Sequence, residues 1–235
     1  MKSYLGAVVA ILAKDVLLEL RTKDILVTTL VFGLLVIVVF SFALDPTPTM
    51  IASVAPGILW VSFTFGGVLG LNRSFSVESA RGNLQGLMLA PVGRDAIYFG
   101  KFLGSFLFMM GVEVVIYPLF AALFNLPLFV YELIPVAVLA TIAVAAVGAV
   151  FSAMALNTRS REVMLPLLFF PVVVPVIIAA TEATGILLRE AAPKEAIAPY
   201  LSVGPEVSLW IPLLVVFDAV FLVICPAAFS FIIED

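Results

Sequence analysis

Six runs of this chain are apolar over the length a helix needs to cross a bilayer: Ile25–Leu44, Met50–Leu71, Ala96–Phe124, Leu133–Leu156, Val163–Thr181 and Ser208–Ile233. The hydrocarbon core is about 30 Å thick and a helix rises about 1.5 Å per residue, so roughly 20 residues span it. Inside hydrocarbon every backbone N–H and C=O must be bonded internally, and continuous runs of this length achieve that as helices. Composition agrees. Of 235 residues 63% are hydrophobic and 12% charged, about half the charged share of a soluble domain. The expected fold is all-α and integral to a membrane, one domain over residues 1–235 with six transmembrane helices.

Lysine and arginine set the expected orientation. The N-terminal segment carries Lys2, Lys14, Arg21 and Lys23; the second connection, counted to its foot, carries Arg73, Arg81, Arg94 and Lys101; the fourth carries Arg159 and Arg161. The first and third connections have none, and the fifth has Arg189 and Lys194 among four glutamates. Ten of the twelve basic residues therefore fall on one side, which the positive-inside rule makes cytoplasmic. Both termini are expected in the cytoplasm.

Residues 1–24 are of another kind. Leu5, Val9, Leu12, Val16 and Leu20 recur at helical spacing and form one apolar stripe, with Lys14 and Arg21 opposite. That pattern predicts an amphipathic helix lying in the membrane interface. Lys14 and Asp15 interrupt the apolar stretch, so it does not read as a cleaved signal peptide. The segment 182–207 is amphipathic and punctuated by Gly185, Pro193, Pro199, Gly204 and Pro205. It predicts short helices at the outer face.

No catalytic or metal-ligating pattern emerges. The chain has no histidine and one cysteine, Cys225, so the commonest general base and the commonest haem-iron ligand are both missing. It has no Walker A loop, no HExxH and no cysteine cluster. The net charge of −4 without a basic strip argues against nucleic acid. Two acids, Glu113 and Asp218, sit deep in spans. An ionised carboxylate there is costly unless paired or hydrated, so each marks either a functional path or a hydrogen bond between helices. Gly66–Gly70 and Gly100–Gly104 have the spacing that lets helices approach closely.

Between the second and third spans the chain reads GLNRSFSVESARGNLQGLMLAPVGR. Phe75, Leu84, Leu87 and Met88 supply an apolar patch, Glu78, Arg81 and Gln85 stay polar, and Gly82 and Gly86 permit sharp turns. A short amphipathic segment, 72–95, anchored at both ends in spans, can transmit movement; an ordinary cytoplasmic loop fits the same residues.

ESARGNLQGLMLAPVGR resembles the E-x-x-x-G-T-L-E-x-L-x-x-x-P pattern of ABC-2 type transporter permeases. More narrowly, FGGVLGLNRSF, REVMLPLLFFPVVVPV, ATEAT and FDAVFLV resemble the haem exporter protein B family, CcmB, of cytochrome c maturation. Gln85 stands where the pattern has glutamate, which removes a negative charge from that place. The resemblance implies an ABC-2/type V exporter-like permease in the inner membrane, not itself an enzyme. It implies a second copy of the chain, a separate CcmA-like ABC ATPase that binds ATP, and CcmC, CcmD and CcmE-like partners. Arg73, Glu78, Arg81, Gly82, Leu84, Gln85 and Gly86 would form the ATPase-coupling segment, and Glu182 a contact for an outer-face partner. Haem would be cargo and not a firmly bound cofactor; Met109, Met110, Met154, Tyr117 and Cys225 are the side chains able to ligate its iron. The alternatives are a generic ABC-2 exporter of a lipid, polysaccharide or drug, and an intramembrane enzyme using Glu113 and Asp218.

Overall fold

The computed structural model describes residues 2–44, 48–80, 92–126, 130–156, 161–191 and 207–232. Seven α-helices account for almost all of them: α1 (Lys2–Thr22), α2 (Asp24–Ala43), α3 (Pro48–Ala80), α4 (Arg94–Leu123), α5 (Leu133–Leu156), α6 (Arg161–Ala191) and α7 (Val207–Ile232). The last six are long and apolar enough to cross a membrane. The chain is an all-α integral membrane protein.

Two helices outrun their predicted spans. The helix α3 continues to Ala80, so residues 72–80, the first part of the expected coupling segment, extend a span and are not loop. Their sequence, NRSFSVESA, contains neither glycine nor proline, and nothing in it stops a helix already under way. The helix α6 likewise runs to Ala191 and absorbs the first ten residues of the segment expected as short outer helices. Its one internal breaker there, Gly185, is buried within the helix. A single such glycine costs only about 1 kcal/mol, while Ala183, Thr184, Leu187 and Leu188 on the same stretch are buried. Residues 192–206 lie outside the described set.

At the centre stands α5, which packs against α3, α4, α6 and α7. It is surfaced with small residues, and Ala140, Ala143, Ala145, Ala146 and Ala149 are fully buried. Lipid tails are as apolar as leucine, so helices in a bilayer associate through close packing and not through hydrophobic exclusion. Small side chains around α5 allow that approach on several sides at once. Over an apolar 18-residue stretch of each span, 67% of residues are buried in α3 and in α5, against 17% in α2 and 11% in α7. The outer helices turn Val31, Leu35, Val216 and Val223 outward, as lipid-facing walls.

The glycine pairs do pack closely. On α3, Gly66 lies against α2: an added Cβ would stand 3.0 Å from Thr29 Cγ2, and the Thr29 hydroxyl donates to the Gly66 carbonyl at 3.2 Å. On α4, Gly100 receives α1: an added Cβ would stand 2.7 Å from Ile11 Cγ2 and 3.4 Å from the Val8 carbonyl oxygen. The bundle-facing side of α1 is therefore Val8, Ile11, Asp15 and Glu19, while Leu5, Val9 and Leu20 of the predicted stripe are exposed. Leu12 and Val16 of the same stripe are half-buried, and Leu12 Cδ1 would stand 3.9 Å from a Cβ added at Gly104, so the stripe divides between the surroundings and α4.

An abrupt elbow joins α1 to α2. Lys23 adopts the left-handed conformation with φ 56°, a geometry that costs a non-glycine residue about 1–2 kcal/mol. Glu19 compensates, because its carboxylate accepts the Leu26 N–H at 2.7 Å in the first turn of α2, where the helix dipole favours negative charge.

Gly100→Ala should lower stability by about 1–3 kcal/mol, because overpacking forces α1 off α4. Gly111→Ala on the same helix, where an added Cβ meets nothing within 4 Å, should change it by less than about 0.5 kcal/mol. Unfolding of the two variants in one detergent checks the pair. Equal loss in both would contradict the packing described.

Candidate functional site

The segment singled out in the sequence begins on α3 and ends on α4. The apolar stretch of α3 closes at Asn72, and the helix runs on for eight residues to Ala80, about 12 Å of stalk. Arg73 and Glu78 lie on that stalk. Arg81, Gly82, Leu84, Gln85 and Gly86 lie outside the described residues. The chain re-enters at α4 with Gly93 as N-cap and Asp95 in the first turn, a favourable position for a carboxylate. Tyr4 of α1 faces this turn; burial first, then the charge and hydrogen bond of Asp95, raise its phenol above the ordinary range. Arg94 reaches across the bundle and donates from Nη1 to the Ser230 carbonyl at 3.2 Å, in the last turn of α7, where a cation meets the negative helix end. Both feet of the segment are thus held by the bundle.

A buried ion pair clamps α1 to α4, and sequence reasoning missed it. Lys101 Nζ stands 2.9 Å from Asp15 Oδ2, and Lys14 Nζ stands 3.1 Å from Oδ1. The Lys101 side chain is 2% exposed and that of Asp15 10%. In the sequence Lys101 counted only as an orientation charge. The signal was present in its neighbours, because Gly100 and Gly104 clear the surface on which α1 lies: Gly100 meets Ile11, and Gly104 meets Asp15.

Above the clamp the interior holds a string of spaces. A cavity of ≈ 20 Å³ adjoins Asp15, Lys101, Ser105, Thr29 and Met109. A second of ≈ 20 Å³ shares Thr29 and Met109 with it and adds Thr64, Glu113 and Thr141. Each has room for about one water. Glu113, Trp60 and Phe63 then border a cleft of ≈ 370 Å³ between α3, α4 and α5, within the roughly 300–1,000 Å³ range of small-molecule sites.

Glu113 is the polar centre of this region. It is 8% exposed. Its Oε1 accepts the Thr141 hydroxyl at 2.6 Å, and Oε2 has no hydrogen-bond partner in the protein. Asp218 on α7 is 5% exposed, with neither oxygen partnered. Glu113 lies ten residues from the end of α4 and Asp218 eleven from the start of α7, so both sit roughly 15 Å from the same face. Yet no hydrogen bond joins them, and the shared-proton arrangement a carboxylate-pair enzyme needs is not formed. Glu182 is exposed on α6. The possible iron ligands do not converge on one point: Met110 and Tyr117 line the cleft, Met109 faces the inner cavities, Met154 is exposed and Cys225 is buried, against Tyr98.

Comparison with known proteins matches residues 6–234 to the model of one family, described as CcmB protein. A protein of Rhodobacter capsulatus named heme exporter protein B is 30% identical over 174 residues, covering 74% of this chain and 80% of the relative. One of the same name from Paracoccus denitrificans is 31% identical over 176 residues, with 74% and 80% covered. Another from Haemophilus influenzae is 28% identical over 180 residues, with 75% and 81% covered.

Removing one partner of a buried ion pair strands the other charge. Asp15→Leu, which strands the buried Lys101, should therefore cost about 3–5 kcal/mol, and Lys101→Met less, because Asp15 keeps Lys14 at 3.1 Å. The double variant Asp15→Leu/Lys101→Met should lose less than Asp15→Leu alone, because the buried ammonium is gone with its partner. A double-variant cycle on thermal unfolding in detergent measures the coupling. Additive losses would show that the two side chains act separately.

Proposed function

The chain belongs to the CcmB protein family, and from that premise we propose that it is the permease subunit of an ATP-driven membrane complex for cytochrome c maturation. In this reading it is a lever worked by an ATPase on a separate chain. The observation that carries the reading is the stalk. A span does not end at the lipid but continues as unbroken helix to Ala80, so a push on the stalk, residues 73–80, would be delivered straight into α3. The other foot is tied through Arg94 to α7 and, two turns further on, through Lys101 to α1. Movement at the segment thereby tilts four helices together.

By sequence position ten of the twelve basic residues belong to the N-terminal segment, this connection and the fourth, which supports a cytoplasmic placement for the segment and for both termini, in the inner membrane. There a CcmA-like ATPase would seat the segment in a groove, with Arg73, Glu78, Arg81, Leu84 and Gln85 at the contact and Gly82 and Gly86 shaping the turn. Two copies of the chain would pair with two ATPases, and CcmC, CcmD and CcmE-like proteins would complete the complex. Haem is the load named by the relatives. A chain without histidine offers its iron no imidazole, and the methionine, tyrosine and cysteine candidates lie apart. These facts favour mechanical release of a haem-loaded chaperone, on whose partner the iron is held, over passage of haem along this chain. Glu182, exposed near the opposite end, suits a contact with such a chaperone.

Glu78→Arg and Gly82→Pro should leave the spans inserted, abolish stimulation of the partner's ATPase, and cut the yield of c-type cytochromes at least tenfold. ATPase assays on the reconstituted complex and cytochrome spectra of membranes check this together. Wild-type values of both in either variant would contradict the lever.

A further inference from the structure

The cleft between α3, α4 and α5 is larger than close packing requires, and its lining is of two kinds. Four aromatic rings stand in its walls, Trp60 and Phe63 from α3, Tyr117 from α4 and Tyr131 just before α5, among aliphatic side chains such as Leu59, Val130 and Leu133. Among the described residues its one carboxyl group is that of Glu113, and no lysine or arginine lines it. The Glu113 side chain is more than nine-tenths buried, and its Oε2 lacks a protein partner. Trp60 is held rigidly, with Nε1 donating to Thr184 Oγ1 at 2.9 Å and its ring edge-on to Phe63 at 5.8 Å. Val114, Ile134 and Tyr131 at the rim are exposed, so the mouth opens on the flank of the bundle, towards hydrocarbon.

A carboxylate behind aromatic faces, in a slot open to lipid, has the complement of an amphipathic cation. Ring faces attract positive charge through their quadrupole, and a desolvated carboxylate is stabilised by an opposite charge brought beside it. An apolar body enters from the bilayer without crossing water. An anionic amphiphile is repelled by the carboxylate, and a neutral one without a hydrogen-bond donor leaves Oε2 as it was. We propose that this cleft is a binding site for lipophilic organic cations, with Glu113 as the counter-charge and Trp60, Phe63, Tyr117 and Tyr131 as the walls. The site lies away from the segment 72–95 and does not depend on an ATPase or on haem.

The test uses the full chain in phosphatidylcholine nanodiscs and radiolabelled tetraphenylphosphonium, with neutral triphenylphosphine oxide as competitor. Saturable binding of one cation per chain is expected, unaffected by the competitor. Glu113→Gln should weaken it at least tenfold. Asp218→Asn, at similar depth on α7, should not change it. Val114→Trp places a ring at an exposed rim position that does not bear on folding and should weaken binding as much as Glu113→Gln, which decides the matter if the latter variant does not fold. Binding that only partitions without saturating, that survives both Glu113→Gln and Val114→Trp, or that falls equally in Asp218→Asn would overturn the proposal. So would a co-purified lipid or partner helix in the cleft that tetraphenylphosphonium fails to displace.

Discussion

Hydrocarbon supplies no hydrogen-bond partner, and nearly everything in this molecule follows from that refusal. It turns each apolar run into a helix, because only the helix bonds its own backbone within one segment. It also disciplines the side chains. Ser62 and Thr64 donate back to carbonyls one turn earlier, at 2.6 and 2.7 Å. Tyr98 donates to the Ala146 carbonyl, and Trp60 to Thr184. With polar groups satisfied at home, helices adhere by proximity, and the alanine surface of α5 and the glycines of α3 and α4 supply it. Against that background the unpartnered oxygens of Glu113 and Asp218 stand out among the described residues, as the two carboxyl groups of four buried side chains, with Ser152 and Trp210, where the rule is suspended.

The same packing makes the bundle stiff in a useful direction. A helix that runs from the core of the bundle to a stalk beyond the lipid is a rod, and a rod gripped at its tip moves its root. The ion pair between α1 and α4 and the arginine contact from α4 to α7 extend that motion sideways. Interiors packed this tightly respond to force by shifting whole elements and not by local give. The cleft at the other end of the bundle shares Trp60 and Phe63 with the rod itself, so displacement of α3 would alter its width.

Much of this was legible beforehand. Twenty-residue apolar runs located the six spans, and one of them, Leu133–Leu156, to the residue. The spacing of Gly100 and Gly104 announced a close approach, but glycine does not name its partner, and α1 as the partner had to come from the structure. The stripe from Leu5 to Leu20 was read correctly as amphipathic. It could not reveal that the bundle would take the neighbouring face, with Asp15 and Glu19, and leave Leu5, Val9 and Leu20 outside, since in a membrane protein lipid competes for apolar surface on equal terms. The helices α3 and α6 ran past their predicted ends for a related reason: polarity marks where lipid stops, and helix propensity does not stop there with it. The Asp15–Lys101 pair spans 86 positions of sequence, a separation at which periodicity carries no information. Glu113 was visible as an anomaly, but the cleft around it was assembled from four helices and a turn.

The central claim is that an ATP-hydrolysing partner grips the segment that begins on the α3 stalk. Site-specific photo-cross-linking from position 78 on the stalk, and from position 85 beyond it, tests this most directly in membranes that hold the native complex. The account predicts a covalent adduct with an ATPase chain from both positions, strengthened or weakened when ATP is trapped. Adducts formed only with lipid, or only with proteins of the opposite side of the membrane, would contradict it.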